Sequence, residues 1–185
     1  HMDYLVCYFR PNNRFPNRVF GGFARALSDP KRCSLDSFAY LNFAFSSHSG
    51  GEEDNAWTLD VAKAEDLTEL SSFYDYTSGG LMIKALDLGP DVRDTDTLND
   101  NYGKLGFKRE KHLFSLKKDG RLKAVALAVV SDTGLNLSNL TNCVHVFILD
   151  GEDLPVNVLY RQLALLSPHY TEDEIPVLLY PLSYV

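Results

Sequence analysis

One stretch limits the possible folds more than any other. His112 to Leu116 is mostly apolar, Lys118-Asp119-Gly120 is a turn signal, and Leu122 to Val130 is almost wholly aliphatic. Two strand-forming runs around an Asp-Gly step predict a β-hairpin. Its apolar core, Ala124 to Val130, is seven residues long, far short of the ~20 needed to span a bilayer.

Around the hairpin the chain alternates strand and helix signals. Tyr4–Phe9, Phe38–Phe45, Trp57–Val61 and Cys143–Leu149 read as short buried strands. Helices are predicted from the cap Asn17 to the stop at Asp29-Pro30, with Val19, Phe20, Phe23 and Leu27 on one face, from about Glu65 to Gly79, over Leu81–Leu88, and over Val158–Leu166. Asp91 to Asn101 reads as an exposed loop running into a helical turn. Ile175–Val185 reads as a last strand, which Pro176 and Pro181 would confine to an edge or bulge. The run Ser46-Ser47-His48-Ser49-Gly50-Gly51 is the best internal linker.

The strand, loop, helix and strand order of residues 4–45 recurs at an offset of 139. Pro16, Val19, Leu27 and Ser28 return as Pro155, Val158, Leu166 and Ser167. A repeated βαβ unit is therefore expected. His1-Met2 reads as a cloning scar.

With 185 residues, 18 Lys+Arg and 25 Asp+Glu, the chain carries a net charge of −7. That balance argues against a dedicated nucleic-acid binder, whose phosphate contacts need a basic face. Cys7, Cys33 and Cys143 are odd in number and widely spaced, suggesting neither a disulfide frame nor a zinc site. Cys7 and Cys143 read as small core residues. No P-loop, Ser-His-Asp order or metal-ligand spacing occurs, and a cytoplasmic location is expected.

Residues 57–185 run strand, helix, helix, strand, strand, strand, helix, strand, and this order resembles the GNAT acyltransferase superfamily. The segment LFSLKKDGRLKAVALAVV (113–130) looks like that family's second and third strands, and Tyr102 to Phe107 is a GNAT-like Tyr-x-Lys-x-Gly-Phe string. The resemblance implies an α/β (α+β) fold, a mixed twisted β-sheet flanked by helices. Residues 52–185 would be a GNAT-like domain lacking its C-terminal elements. Residues 3–51 would be a partial GNAT-like βαβ unit from a tandem repeat. It also implies acetyl-CoA or another acyl-CoA as a possible cofactor.

In that family the loop after the fourth strand holds the coenzyme pyrophosphate. Here it reads Asp150-Gly151-Glu152-Asp153-Leu154-Pro155, with three acids and a proline. The matching loop of the first copy carries Arg10, Arg14 and Arg18 with no acid between them, followed by Gly21 and Gly22. Those five are the candidate cofactor-binding residues, against the alternative of a solvated basic loop. Arg10 and Arg14 also have the RxxxR spacing that resembles PilZ domains, with Asn136-Leu137-Ser138 a partial echo of the companion motif.

Tyr102 is the candidate general acid and His145 a candidate base, although a mid-strand histidine is more often a core residue. His112 lies among Lys108, Arg109 and Lys111, and the polar string Asn136, Ser138, Asn139, Thr141 and Asn142 could line a small polar site. Two functions follow. The chain is a degenerate acyltransferase-fold domain, a binding or regulatory module whose partners are the other domains of a larger bacterial protein. Alternatively it is an acyl-CoA-dependent N-acyltransferase acting on an amine.

Overall fold

The computed structural model describes residues 4–48, 50, 55–90, 97–132 and 142–184. The chain divides into two compact units. The first comprises residues 1–36 and 67–92, the second residues 37–66 and 93–185.

The second unit is built on one six-stranded mixed sheet of the α+β class. Its strands are β1 (Ala39–Ala44), β2 (Trp57–Val61), β3 (Arg109–Lys118), β4 (Arg121–Ser131), β5 (Cys143–Ile148) and β6 (Glu174–Tyr180). They lie in the order β1-β6-β5-β4-β3-β2. All neighbours are antiparallel except β5 and β6, which run parallel from Val144↔Val177 to Phe147↔Tyr180. Helix α6 (Val156–Ala164) makes the crossover between that parallel pair.

The β3–β4 hairpin forms as predicted. Asp119 and Gly120 both take positive φ, 49° and 76°, and Lys118 pairs with Arg121. Positive φ at both central positions is the type I′ geometry that Asp-Gly favours. One face of the sheet carries Ala124, Ala126, Ala128, Val144, Val146, Ile148, Val177 and Leu179. Val158, Leu159 and Leu163 of α6 share this core.

Pro176 is not on an edge, as its type suggested, but in the interior strand β6. It pairs with Asn42 of β1, and the ladder to β5 begins one residue later, at Val177. The missing N–H therefore falls just short of that ladder. The expected linker is also tied down at its start. Phe45–Ser47 forms a 3₁₀ turn, and the Ser46 N–H and hydroxyl donate to Asp173 at 2.9 and 2.6 Å.

In the first unit a continuous helical segment runs from α1 (Arg14–Pro16) through a π turn (Asn17–Gly21) into α2 (Gly22–Leu27). It begins three residues before Asn17, because a proline in the first turn has no N–H to satisfy. Asn17 accordingly is no cap; its Nδ2 donates to the Pro11 carbonyl at 2.9 Å. Ser28, in the left-handed region, ends the segment. Helix α3 (Ala64–Ser78) stops at Gly79 and Gly80, both with positive φ, and α4 (Leu81–Ala85) follows.

The first copy of the expected repeat is corrected here. Residues 4–10 form no strand, and Tyr4, Leu5, Val6, Cys7 and Tyr8 are exposed. Its second strand, β1, runs antiparallel to β6. An apolar run becomes a strand only where a neighbour pairs with it, and β6 already has β1 on one side and β5 on the other. Cys143, by contrast, is buried as expected.

Candidate functional site

Arg14, Arg18 and Arg25 line an open hollow of about 660 Å³ in the first unit, together with Pro11, Asn12 and Asn17. Arg10 is not part of it. Arg25 is held by its own Nη2, which donates to the Asn17 backbone and side-chain oxygens at 3.3 and 3.4 Å. Arg25 escapes the sequence reading because it lies three residues past Gly22, outside the expected phosphate loop. Its spacing from Arg14, eleven residues or about three helical turns, is the signal that marks it.

Gly21 and Gly22 do not form a phosphate-cradling loop. Both lie inside the helical segment, and the Gly22 N–H already donates to the carbonyls of Asn17 and Val19. A backbone amide spent in this way cannot hold an anion. The charged groups that border the hollow are the guanidinium groups of Arg14, Arg18 and Arg25.

The acidic loop after β5, in the second unit, is also unlike its linear charge. Lys123 Nζ lies 2.7 Å from Asp150 Oδ2 and 3.1 Å from Asp153 Oδ2, and Lys118 Nζ lies 2.7 Å from Asp153 Oδ1. Two of the three acids are thus neutralised by lysines of the β3–β4 hairpin. These hydrogen bonds raise the Lys123 pKa and hold Asp153 below the usual carboxylate range. Above the loop, Tyr184 donates its hydroxyl to the Leu154 carbonyl at 2.7 Å. A Cβ on Gly151 would sit 2.9 Å from the Tyr184 ring, so the ring rests directly on this glycine. The C-terminal end of a parallel strand pair is where α/β sheets commonly take ligands. Here the protein's own side chains fill it.

Tyr102 is in α5 (Thr97–Lys104) and His145 is in the middle of β5, and both are buried. His145 is 4% exposed, and its Nδ1 has no hydrogen-bond partner among the described residues. Its ring is near-parallel to those of Phe147 and Tyr180, at 6.3 and 6.1 Å between centroids. Burial, with a smaller contribution from the Lys111 charge, lowers its pKa to about 4. It is a neutral core histidine at neutral pH. Burial likewise pushes the Cys143 thiol up to about 12, which removes it as a nucleophile.

His112 faces His169 with 4.5 Å between ring centroids, and its Nε2 is 3.2 Å from Glu110. Burial and the neighbouring His112 lower the His169 pKa. Among the described residues no group of three His, Cys, Asp or Glu side chains is placed to hold a metal ion. No helix among them is long and apolar enough to cross a membrane. Asn136, Ser138, Asn139 and Thr141 lie outside the described residues, as does the partial PilZ echo; Asn142 donates to Glu172 at 3.4 Å.

The arrangement thus offers one open, cationic surface in the first unit and one closed, charge-paired loop in the second. Comparison with known protein families, characterised proteins and solved structures finds no significant match to this chain.

Proposed function

We propose that the chain is an acyltransferase-fold domain of the GNAT kind that no longer holds the coenzyme. It serves instead as a binding or regulatory module whose partners are other domains of a larger bacterial protein. The element order from Trp57 onward supports the fold assignment, as does the parallel β5–β6 pair joined by α6.

One observation carries the functional half. The loop in the coenzyme position is occupied by the Lys118–Lys123–Asp150–Asp153 cluster and by the Tyr184 ring on Gly151. A diphosphate entering there would have to displace two short ion pairs and a seated aromatic ring. Pro155 also removes one of the amides that would have met it. Burial of Tyr102 and His145 further supports a domain without a proton relay at its surface.

Calorimetric titration of the full chain with acetyl-CoA and longer acyl-CoAs tests this reading. No saturable binding is the expected result. Saturable binding that is lost on Arg18→Glu but kept on Asp153→Ala would restore the acyl-CoA-dependent N-acyltransferase.

A further inference from the structure

The helical segment of the first unit is turned the wrong way for an ordinary surface helix. Such helices bury their bulky apolar stripe and expose the polar one. Here the residues that are buried are the small ones, Gly21 and Ala24. Phe15, Val19, Phe23 and Leu27, spaced four apart, form a stripe that faces solvent. Phe15 is 72% and Phe23 63% exposed, and Phe20 and the preceding Tyr4, Leu5, Val6 and Tyr8 are exposed as well. The stripe is about 18 Å long at 1.5 Å per residue.

Its charge is equally one-sided. Residues 4–28 hold Arg10, Arg14, Arg18 and Arg25 and no acid, in a chain of net charge −7. The Arg14 and Arg18 side chains have no hydrogen-bond or ion-pair partner among the described residues, and with Arg25 they border one hollow. Uncompensated arginines beside exposed aromatic and aliphatic side chains ask for a surface that offers negative charge and an apolar layer together.

We propose that residues 4–27 are an interfacial membrane-binding element, with Arg14–Leu27 lying flat on an anionic phospholipid surface. The arginines meet headgroup phosphates, while Phe15, Phe23 and their neighbours enter the boundary with the acyl chains. The element uses residues of the first unit only and does not depend on the acyltransferase-fold reading. A lipid surface fits better than a soluble phosphate, which would use the arginines and leave the apolar stripe in water.

Co-sedimentation of the full chain with vesicles of phosphatidylcholine containing about 30% phosphatidylserine, against pure phosphatidylcholine, tests the proposal. Binding to the anionic vesicles alone is expected, weakening as salt rises. The pair Arg14→Gln and Arg18→Gln should weaken it about 25-fold, at about five-fold per arginine. Arg14→Lys with Arg18→Lys should leave it within about two-fold, because a lipid surface reads charge and not the guanidinium fork. Phe15→Ser with Phe23→Ser should cost at least about ten-fold at unchanged charge. All these side chains are exposed, so an unchanged urea midpoint verifies that each variant is folded.

The proposal is overturned if the chain ignores anionic vesicles. It is overturned equally if the phenylalanine pair changes nothing, which would make the attraction purely electrostatic. Loss on the lysine pair would mark a shaped phosphate site instead. A dimer in sedimentation equilibrium that Phe15→Ser with Phe23→Ser dissolves, without vesicle affinity, would assign the surface to a second copy of the chain.

Discussion

Lys123 and Asp150 are 27 positions apart in sequence yet form a 2.7 Å ion pair, because the β4–β5 ladder brings the start of β4 against the end of β5. The Leu149 N–H donates to the Lys123 carbonyl at 2.9 Å and fixes the approach from the backbone side. The lysine side chain is only 8% exposed, whereas both of its carboxylate partners are about half exposed.

That asymmetry orders the cost of breaking the cluster. Lys123→Met leaves two carboxylates that can turn to water, and about 1 kcal/mol of stability should be lost. Asp150→Asn with Asp153→Asn leaves a shielded ammonium without a counter-charge and should cost more than Lys123→Met. The pH window follows from the shifts. The contribution of Lys123, whose folded pKa is raised, is present below its ordinary value and is lost as pH rises through the raised one. That of Asp153, whose folded pKa is lowered, is lost as pH falls through the lowered value. Urea unfolding of both variants at neutral pH decides the order. A milder loss for the double asparagine variant would contradict it.

His145 gives a second pH dependence of known sign. Its folded pKa of about 4 lies below the ordinary 6.5, so the unfolded chain binds the extra proton between those values. Stability should therefore fall as pH drops from about 6.5 to about 4, by about 3 kcal/mol from this one group. His145→Phe keeps the aromatic stack with Phe147 and Tyr180 and removes the titration. Its unfolding free energy at pH 4.5, relative to pH 7, should drop less than that of the natural chain. Equal drops in both would exclude His145 as the source.

Much of this architecture is legible in the residues. Asp119-Gly120 specifies its turn locally, and the aliphatic run Leu122 to Val130 reads as the second strand of the hairpin it closes. Gly79-Gly80 ends α3 because both positions need positive φ. What escapes is whatever depends on a distant partner. Tyr4–Phe9 has the composition of a strand, but composition does not supply the neighbour that a strand must pair with. Pro176 looks confined to an edge until the register shows that the β5 ladder starts at Val177. The three acids of the 150–153 loop look repulsive until Lys118 and Lys123 arrive from the hairpin. Arg14, Arg18 and Arg25 border one hollow, a grouping visible only once the helix is extended back past Asn17 to Arg14.

Asp66 joins a second charge cluster whose removal should be costly. Its Oδ1 is 2.7 Å from Lys117 Nζ, and its Oδ2 accepts from the Ser115 hydroxyl at 2.7 Å and the Lys63 N–H at 2.9 Å. Burial alone would raise its pKa, but these three donors outweigh burial and hold it low. Asp66→Ala strands a buried hydroxyl and a mostly covered ammonium, and should cost about 3 kcal/mol. Asp66→Asn keeps an acceptor for one of the donors and should cost less. A denaturant titration of the two variants gives the comparison directly.

The adjacent glycines of the first unit should respond to alanine in opposite directions. At Gly22 an added Cβ meets nothing within 4 Å, and the backbone is right-handed helical at φ −64°. Alanine there loses less backbone entropy on folding, so Gly22→Ala should stabilise the chain by about 0.5–1 kcal/mol. At Gly21 the same atom would lie 2.8 Å from Asn17 Oδ1 and 3.2 Å from an Arg25 guanidinium nitrogen. Gly21→Ala must displace the Asn17 side chain, which donates to Pro11, and the Arg25 side chain that rests on it. It should destabilise the first unit and open the hollow that Arg14, Arg18 and Arg25 share. Two residues of a flexible phosphate loop would instead tolerate alanine alike, with little change in stability at either. Hydrogen exchange of the amides of residues 17–27 in the two variants distinguishes these outcomes. Slower exchange for Gly22→Ala and faster exchange for Gly21→Ala is the result a packed helix requires.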